Sequence, residues 1–354
     1  MKPINVLIVD DSALIRKMWT ELLSSAEGIK VLDTAVDAVD AREKIKRLNP
    51  DVLTLDIEMP SMDGLSFLEK IMTLRPMPVI MVSTLTQKGA GATIRALETG
   101  AVDYISKPMG ALNEDTLTPL KDELISKIKG AAKANLVSRS HQRKSQDTTP
   151  VLSFSGNADH IIAIGSSTGG VEALRDIFLT LPANSPPIVM TQHMPEQFTP
   201  SFAARLNNLS QVTVSEARHG DRLKQGHAYL APGGRHMKIV SKGSGLFCHI
   251  EDGPLVSGHK PSVDVLFQSV AETVGARAIG AILTGMGKDG AAGMLKMREV
   301  GAYTIGQSQN SCVVYGMPKA AFAMGAVMIE LPLLEIAAHM LAVCEQKGKK
   351  SHVI

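Results

Sequence analysis

Ile4-Asn5-Val6-Leu7-Ile8-Val9-Asp10-Asp11 is an apolar run of strand length that stops on two aspartates. The pattern returns at Lys30–Val36, Asp51–Leu55, Pro78–Val82 and Ala101–Ile105, with helical spacing between the runs at Ala13–Leu23, Ala38–Leu48, Leu65–Leu74 and Thr93–Leu97. Short apolar strands alternating with helices predict a doubly wound, five-stranded parallel sheet covered on both faces, with right-handed crossovers. This α/β unit spans about residues 1–130.

Beyond it the composition changes. Residues 131–157 read as an interdomain linker, because Asn135 to Asn157 is rich in Ser, Thr, Gln, Arg and Lys. Arg139, Arg143 and Lys144 suit either a solvated spacer or an acidic surface. From His160 the alternation resumes, with strand candidates at Ile161–Ile164, Pro187–Thr191, Gln211–Val214, Ala228–Leu230, Met237–Val240, Ala278–Leu283 and Ala302–Ile305. Helical stretches lie at Val171–Leu181, Pro200–Asn208, Val263–Val274 and Ala292–Val300. A second α/β unit over 158–347 is expected, with a mostly parallel sheet and a β-hairpin near Gly233-Gly234 and Gly243-Ser244-Gly245. No internal repeat is present.

The 354 residues suit two domains, and a net charge of +2 without a basic or acidic tail points away from nucleic acid as a partner. Three distant cysteines make neither a disulfide framework nor a cysteine-based zinc site, and fit a reducing cytoplasm. The strand-like start is too short for a secretory signal, and no stretch reaches the roughly 18 apolar residues of a membrane span. No direct membrane insertion is expected.

Open parallel sheets present functional groups at the carboxyl ends of their strands. There stand Asp10 and Asp11, Asp56, Ser83 with Thr84, and Lys107. A single aspartate in such a place is commonly a turn or a helix cap. Three carboxylates facing a lysine and a hydroxyl instead make an all-oxygen site suited to Mg²⁺ and to a phosphoryl group. Asp10-Asp11, Leu55-Asp56-Ile57-Glu58-Met59-Pro60-Ser61-Met62-Asp63-Gly64, Ser83 and Lys107-Pro108 resemble the receiver domain of response regulators over about residues 3–125. The resemblance implies that Asp56 accepts phosphate from a histidine kinase and that Asp10, Asp11, Asp56 and the Glu58 carbonyl hold Mg²⁺. It implies switch roles for Ser83, Lys107 and Tyr104, and a cis peptide before Pro108.

In the second half, Gly165-Ser166-Ser167-Thr168-Gly169 lies between a predicted strand and a predicted helix. The G-x-S-x-G pattern exposes a serine on a sharp turn, with helix N–H groups behind it for an oxyanion. Some such turns merely bind phosphate. His193 follows the next strand, and Asp289 stands in the Gly-rich turn after a later one. The three make a candidate Ser–His–Asp triad in an order different from that of α/β-hydrolases. Gly285, Gly287 and Gly290 mimic a dinucleotide fingerprint, but the motif comes late in the domain and the next strand lacks an acid for a ribose. A DNA-binding output would show a helix-turn-helix and a basic patch, and neither is present.

Ile164 to Gly170, Gln192-His193-Met194-Pro195, Ala231 to His236, Pro261-Ser262-Val263-Asp264 and Leu283 to Gly290 resemble the chemotaxis methylesterase family over about residues 158–345. By this resemblance Ser167 is the nucleophile, His193 the base and Asp289 its orienter. The Met286 amide is a candidate oxyanion donor. Thr168, Met194 and His236 are pocket or packing residues. The implied substrate is a glutamyl methyl ester of a chemoreceptor, with glutamine deamidation as a second activity. A chemotaxis histidine kinase is the implied partner, and the hydrolase itself needs no cofactor.

Overall fold

β1 (Ile4–Val9) ends in four buried residues, as an apolar run inside a two-faced sheet must. It is followed by α1 (Ala13–Ser24), β2 (Ile29–Ala35), α2 (Ala38–Leu48), β3 (Val52–Asp56), α3 (Gly64–Leu74), β4 (Val79–Ser83), α4 (Gln87–Thr99), β5 (Asp103–Ser106) and α5 (Glu114–Ala131). The computed structural model describes residues 2–84, 86–108, 114–136, 151–156 and 160–350, without the side chains of 87, 88, 114–116 and 347–350. The chain divides into two compact units, Met1–Arg139 and Ser140–Ile354.

The first unit holds five parallel strands in the order β2-β1-β3-β4-β5. Leu7, Ile8, Leu53, Leu55 and Ile80 are fully buried between the helical layers, each contributing about 1.5–3 kcal/mol of hydrophobic stabilisation. Polar caps start the helices: Ser12 for α1, Asp37 for α2 and Asp63 for α3. The chain leaves β1 toward one side of the sheet and β3 toward the other. Their carboxyl ends therefore flank a crevice, where a doubly wound sheet binds its ligand. The helix read at Thr93–Leu97 is longer, Gln87–Thr99, and starts at the Thr86 cap.

The second unit contains β6 (Ile161–Ser166), α6 (Gly170–Thr180), β7 (Ile188–Gln192), α7 (Thr199–Leu209), β8 (Thr213–Glu216), β9 (His227–Leu230), β10 (His236–Lys242), β11 (Gly245–Glu251), α8 (Val263–Val274), β12 (Ala278–Ile282), α9 (Ala291–Glu299), β13 (Tyr303–Gln307), α10 (Met317–Ala323), β14 (Ile329–Leu331) and α11 (Leu333–Lys350). Seven strands form a wholly parallel sheet in the order β14-β13-β12-β6-β7-β9-β8. The hairpin is a separate antiparallel ribbon, β10–β11, turning at Gly243-Ser244. Its β10 edge is bonded to α8, where Ser269 Oγ accepts from the Ile239 amide at 2.9 Å and Thr273 Oγ1 donates to the Ile239 carbonyl at 2.9 Å. Those side chains satisfy backbone groups that a free edge would expose. Here the chain departs from β6 and from β12 in opposite directions, so the crevice opens between these two neighbours.

Part of the stretch read as linker belongs to the second unit. The Leu152 amide donates to the Thr180 carbonyl at 2.8 Å, Asn184 Nδ2 donates to the Phe154 carbonyl at 2.7 Å, and Phe154 is buried. Residues 137–150 and 157–159 of that stretch lie outside the described residues. The cis peptide bond recorded among the described residues is Lys260–Pro261, not the Lys107–Pro108 bond that the receiver resemblance implied.

Candidate active site and phosphoacceptor site

At the β1–β3 crevice, Asp10 and Asp56 are buried while Asp11 is exposed, and one carboxylate oxygen of each lies within 4.8 Å of the others. Lys107 Nζ sits 2.7 Å from Asp56 Oδ2 and 3.0 Å from Asp10 Oδ2. Asp56 Oδ1 accepts from the Glu58 amide at 3.3 Å. Burial pushes the Asp56 carboxyl up to about 6, with Asp10 adding to the rise and Lys107 opposing it. Burial pulls Lys107 down, but Asp56 and Asp10 outweigh it and hold the ammonium above its ordinary value. Three carboxylates thus face one lysine, an excess of hard anionic oxygen into which a divalent cation such as Mg²⁺ fits. Gly64 is required beside them, because a Cβ there would lie 2.0 Å from the Asp56 carbonyl oxygen.

Ser83 lines the same cavity and is buried, but its hydroxyl lies 2.7 Å from Thr93 Oγ1. Tyr104 is buried, its carbonyl accepts from Lys127 Nζ, and that ammonium sits 4.6 Å from the centroid of the ring. Burial pushes the Tyr104 phenol well above its ordinary range.

In the second unit, Ser166 of β6 and Gln192 of β7 are register partners, so Ser167 and His193 leave the sheet side by side. Neighbouring strands are about 4.8 Å apart. Ser167 is held by its backbone. Its amide donates to the Thr284 carbonyl at 3.1 Å, and its carbonyl accepts from Gly170 at 2.7 Å and from Gln192 Nε2 at 3.0 Å. The turn needs Gly169 at φ +78°, and Gly285 must be glycine, since a Cβ there would meet Ser167 Cβ at 2.9 Å and Met317 Sδ at 2.3 Å. Thr168 is buried, and its carbonyl accepts from Thr284 Oγ1 at 3.0 Å. Met194 is buried and Met286 half-buried at the edge of this region.

Asp289, 96 residues after His193, accepts from His193 Nε2 at 2.8 Å. The same carboxylate accepts from the Val263 amide at 2.7 Å, the Ser262 hydroxyl at 2.8 Å and the Asp264 amide at 3.1 Å. Burial pushes Asp289 up, but the His193 contact and the donors at the start of α8 outweigh it and leave the carboxyl below its ordinary value. The Pro261-Ser262-Val263-Asp264 motif therefore serves as the cradle of Asp289, a role invisible in the sequence. His236 supports that cradle: its Nδ1 accepts from the Ser262 amide at 3.3 Å and its Nε2 donates to the Pro254 carbonyl at 2.9 Å. Both ring nitrogens are thereby used in packing.

Because Nε2 of His193 faces Asp289, the nitrogen left for Ser167 is Nδ1. That atom is buried and carries no hydrogen bond. No hydrogen bond joins it to Ser167 Oγ in this structure, so the pair at the serine end is juxtaposed but not closed. Catalytic contacts of this sort commonly tighten only when substrate is bound. One neighbour escaped the sequence reading: His259 stacks on the His193 ring with centroids 3.6 Å apart and planes 14° apart. A lone histidine in a polar turn carries no pattern that would have marked it.

A receiver-type sheet with an aspartate cluster at its crevice, joined to an α/β unit with a Ser–His–Asp constellation, defines a response regulator with a hydrolase-like output. Family models for the response regulator receiver domain and for CheB methylesterase match residues 6–117 and 162–340. Protein-glutamate methylesterase/protein-glutamine glutaminase 1 of Geobacter metallireducens is 50% identical, over 99% of this chain and 98% of its own. The Shigella flexneri protein-glutamate methylesterase/protein-glutamine glutaminase is 51% identical, over 97% of each chain. The crystal structure of the Thermotoga maritima CheB methylesterase catalytic domain is 38% identical with a TM-score of 0.51, covering 53% of this chain and 99% of that one. The chain belongs to the CheB methylesterase family.

Proposed function

We propose that this chain is a serine hydrolase that removes methyl esters from glutamate side chains of chemoreceptors and deamidates glutamine by the same route. Phosphorylation of Asp56 by a chemotaxis histidine kinase switches it on, and it works in the cytoplasm. The observation that carries the reading is the polarised His193: Nε2 bonded to Asp289 at 2.8 Å, Nδ1 buried without a hydrogen bond, at the end of a strand whose neighbour in register leads into Ser167. The names of the full-length relatives support the substrate class. No described helix is long and apolar enough to cross a membrane.

Ser167 Oγ attacks the ester carbonyl carbon as its proton passes to His193 Nδ1. Asp289 keeps the other proton on Nε2 and faces the positive charge that develops on the ring. The Met286 amide is the proposed donor to the oxyanion. As the adduct collapses, the proton on Nδ1 goes to the departing methoxide, which leaves as methanol. Water then adds to the acyl-Ser167 with His193 again as base, restoring serine and releasing glutamate. With a glutamine side chain the leaving group is ammonia.

In the receiver, Asp10, Asp11, Asp56 and the Glu58 carbonyl would hold Mg²⁺, which supplies charge neutralisation for phosphoryl transfer. An Asp56 oxygen attacks the phosphorus of a phosphohistidine, and the P–N bond breaks. Lys107 then faces the new phosphate.

The test is methanol release from methyl-esterified chemoreceptor by folded variants. Ser167→Ala and His193→Ala should each lose most of the rate, and the double variant little more, because the two act as one unit. Activity of Ser167→Ala within about tenfold of the parent, or multiplicative losses in the double variant, would remove Ser167 or His193 from the mechanism.

A further inference from the structure

Ser83 and Thr93 are both buried, at 1% and 0% exposure, one at the end of β4 and the other on α4. Their hydroxyl oxygens lie 2.7 Å apart, ten residues apart in sequence. Thr93 Oγ1 also lies 2.8 Å from the Gly89 carbonyl one turn back, and Ser83 Oγ lies 3.3 Å from the Thr84 carbonyl. Two hydroxyl protons serve these contacts. If Thr93 donates to Ser83 and Ser83 to Thr84, the Gly89 contact of 2.8 Å holds two oxygens and no proton. If Thr93 donates to Gly89 and Ser83 to Thr93, both short contacts carry a proton and only the 3.3 Å contact is left without one. The second arrangement uses the better geometry. In both arrangements the Ser83 proton is committed to an oxygen other than those of Asp56.

We propose that Thr93 is a positioning residue of the phosphorylation switch: it holds the Ser83 hydroxyl in the resting orientation and ties that orientation to α4. The inference rests on the reading of Asp56 as phosphoacceptor. A phosphoryl group on Asp56 offers strong acceptor oxygens in the cavity that Ser83 lines. Ser83 can donate to them while Thr93 keeps its own bond to Gly89 only by leaving Thr93. Thr93 keeps Gly89 as its partner when Ser83 departs, so the break leaves no buried donor without an acceptor. The Ser83–Thr93 bond is therefore a bias on a two-state element, and its removal favours the phosphorylated arrangement.

The measurement is binding of beryllofluoride, a phosphoryl mimic, to the full chain in the presence of Mg²⁺. A buried neutral hydrogen bond is worth about fivefold to tenfold in such an equilibrium. Thr93→Val keeps the shape and removes the hydroxyl, so it should bind beryllofluoride about fivefold more tightly than the parent. Thr93→Ser restores the hydroxyl and should bind like the parent. In a Ser83→Ala background, Thr93→Val should change nothing, which a merely structural role for Thr93 would not produce. Should Thr93→Val fail to fold, Thr93→Ala is read in the same cycle. Binding by Thr93→Val equal to or weaker than the parent, or an equal effect in the Ser83→Ala background, overturns the proposal while leaving Asp56 in place. Absence of beryllofluoride binding by the parent, or its persistence in Asp56→Ala, overturns the Asp56 reading itself and the Thr93 role with it.

Discussion

Replacing Asp289 with asparagine separates charge from geometry at the base. The carboxylate accepts four hydrogen bonds, His193 and Val263 on Oδ2, Ser262 and Asp264 on Oδ1. An amide offers acceptor capacity on one side only. With its NH₂ on the Oδ2 side it would face the Val263 amide at 2.7 Å and force the His193 proton onto Nδ1, where Ser167 needs a base. With its NH₂ on the Oδ1 side it faces the Asp264 amide at the longer 3.1 Å, and the Ser262 hydroxyl can turn to accept. The second orientation is cheaper and preserves the His193 tautomer. Asp289→Asn should therefore keep the site's shape, at a stability cost of about 1–3 kcal/mol for one buried donor left facing another. What it loses is the anion opposite the imidazolium. At an effective dielectric constant of about 20 and about 4 Å between charge centres, that is roughly 4 kcal/mol. It predicts a fall in kcat of roughly a thousandfold with KM little changed. The assay is initial methanol release with increasing methylated receptor, alongside a thermal melt. A folded Asp289→Asn chain with kcat within about tenfold of the parent would refute the reasoning and reduce Asp289 to the anchor of the α8 N-terminus.

Four further outcomes concern the receiver and the junction. Burial holds the folded Asp56 carboxyl at about 6 against an ordinary 3.8, so its contribution to stability is present below the ordinary value and is lost as pH rises through 6. With chelator present, Asp56→Asn should melt higher than the parent at pH ~7.5, by at most about 3 kcal/mol of stability, and the gap should shrink toward pH ~4.5. The same variant should no longer respond to acetyl phosphate, and an undiminished response would exclude Asp56 as acceptor. A chain starting at Pro150, without the receiver, should release methanol faster than the unphosphorylated full chain if the receiver restrains Ser167. One starting at Gly156 should be less stable by about 1.5–3 kcal/mol through loss of the buried Phe154. Equal rates for the Pro150 chain and the unphosphorylated full chain would rule out restraint by the receiver.

Several features were legible residue by residue because their signals are local. Asp10, Asp11 and Asp56 stand where apolar runs stop, and Ser167 and His193 follow β6 and β7 in the same way. Asp289 was harder, since six residues of Gly-rich loop separate it from the end of β12, and only the motif marked it. The hairpin was expected at two glycine clusters, and the turn falls at Gly243-Ser244 because only there do two strands stand in antiparallel register. α5, α10, β14 and α11 were not singled out; α10 and β14 are short, and at the start of α4, also missed, Gly89 and Gly91 blur the helical period.

Strand–helix alternation, the turn glycines and the polar groups at strand ends are properties of consecutive residues, so the sequence by itself determined two α/β units and the chemical classes of their sites. Pairing between distant segments is set by which faces are buried together, and no local window carries it. Only the tertiary structure placed β12 against β6, bringing Asp289 to His193 across 96 residues. Only it turned His193 so that Nε2 meets Asp289 and Nδ1 is left free, wrapped Asp289 in the start of α8, and set Ser83 against Thr93. A hydrogen bond needs a donor within about 3 Å and aligned, and that precision exists only once the sheet and its covering helices have packed.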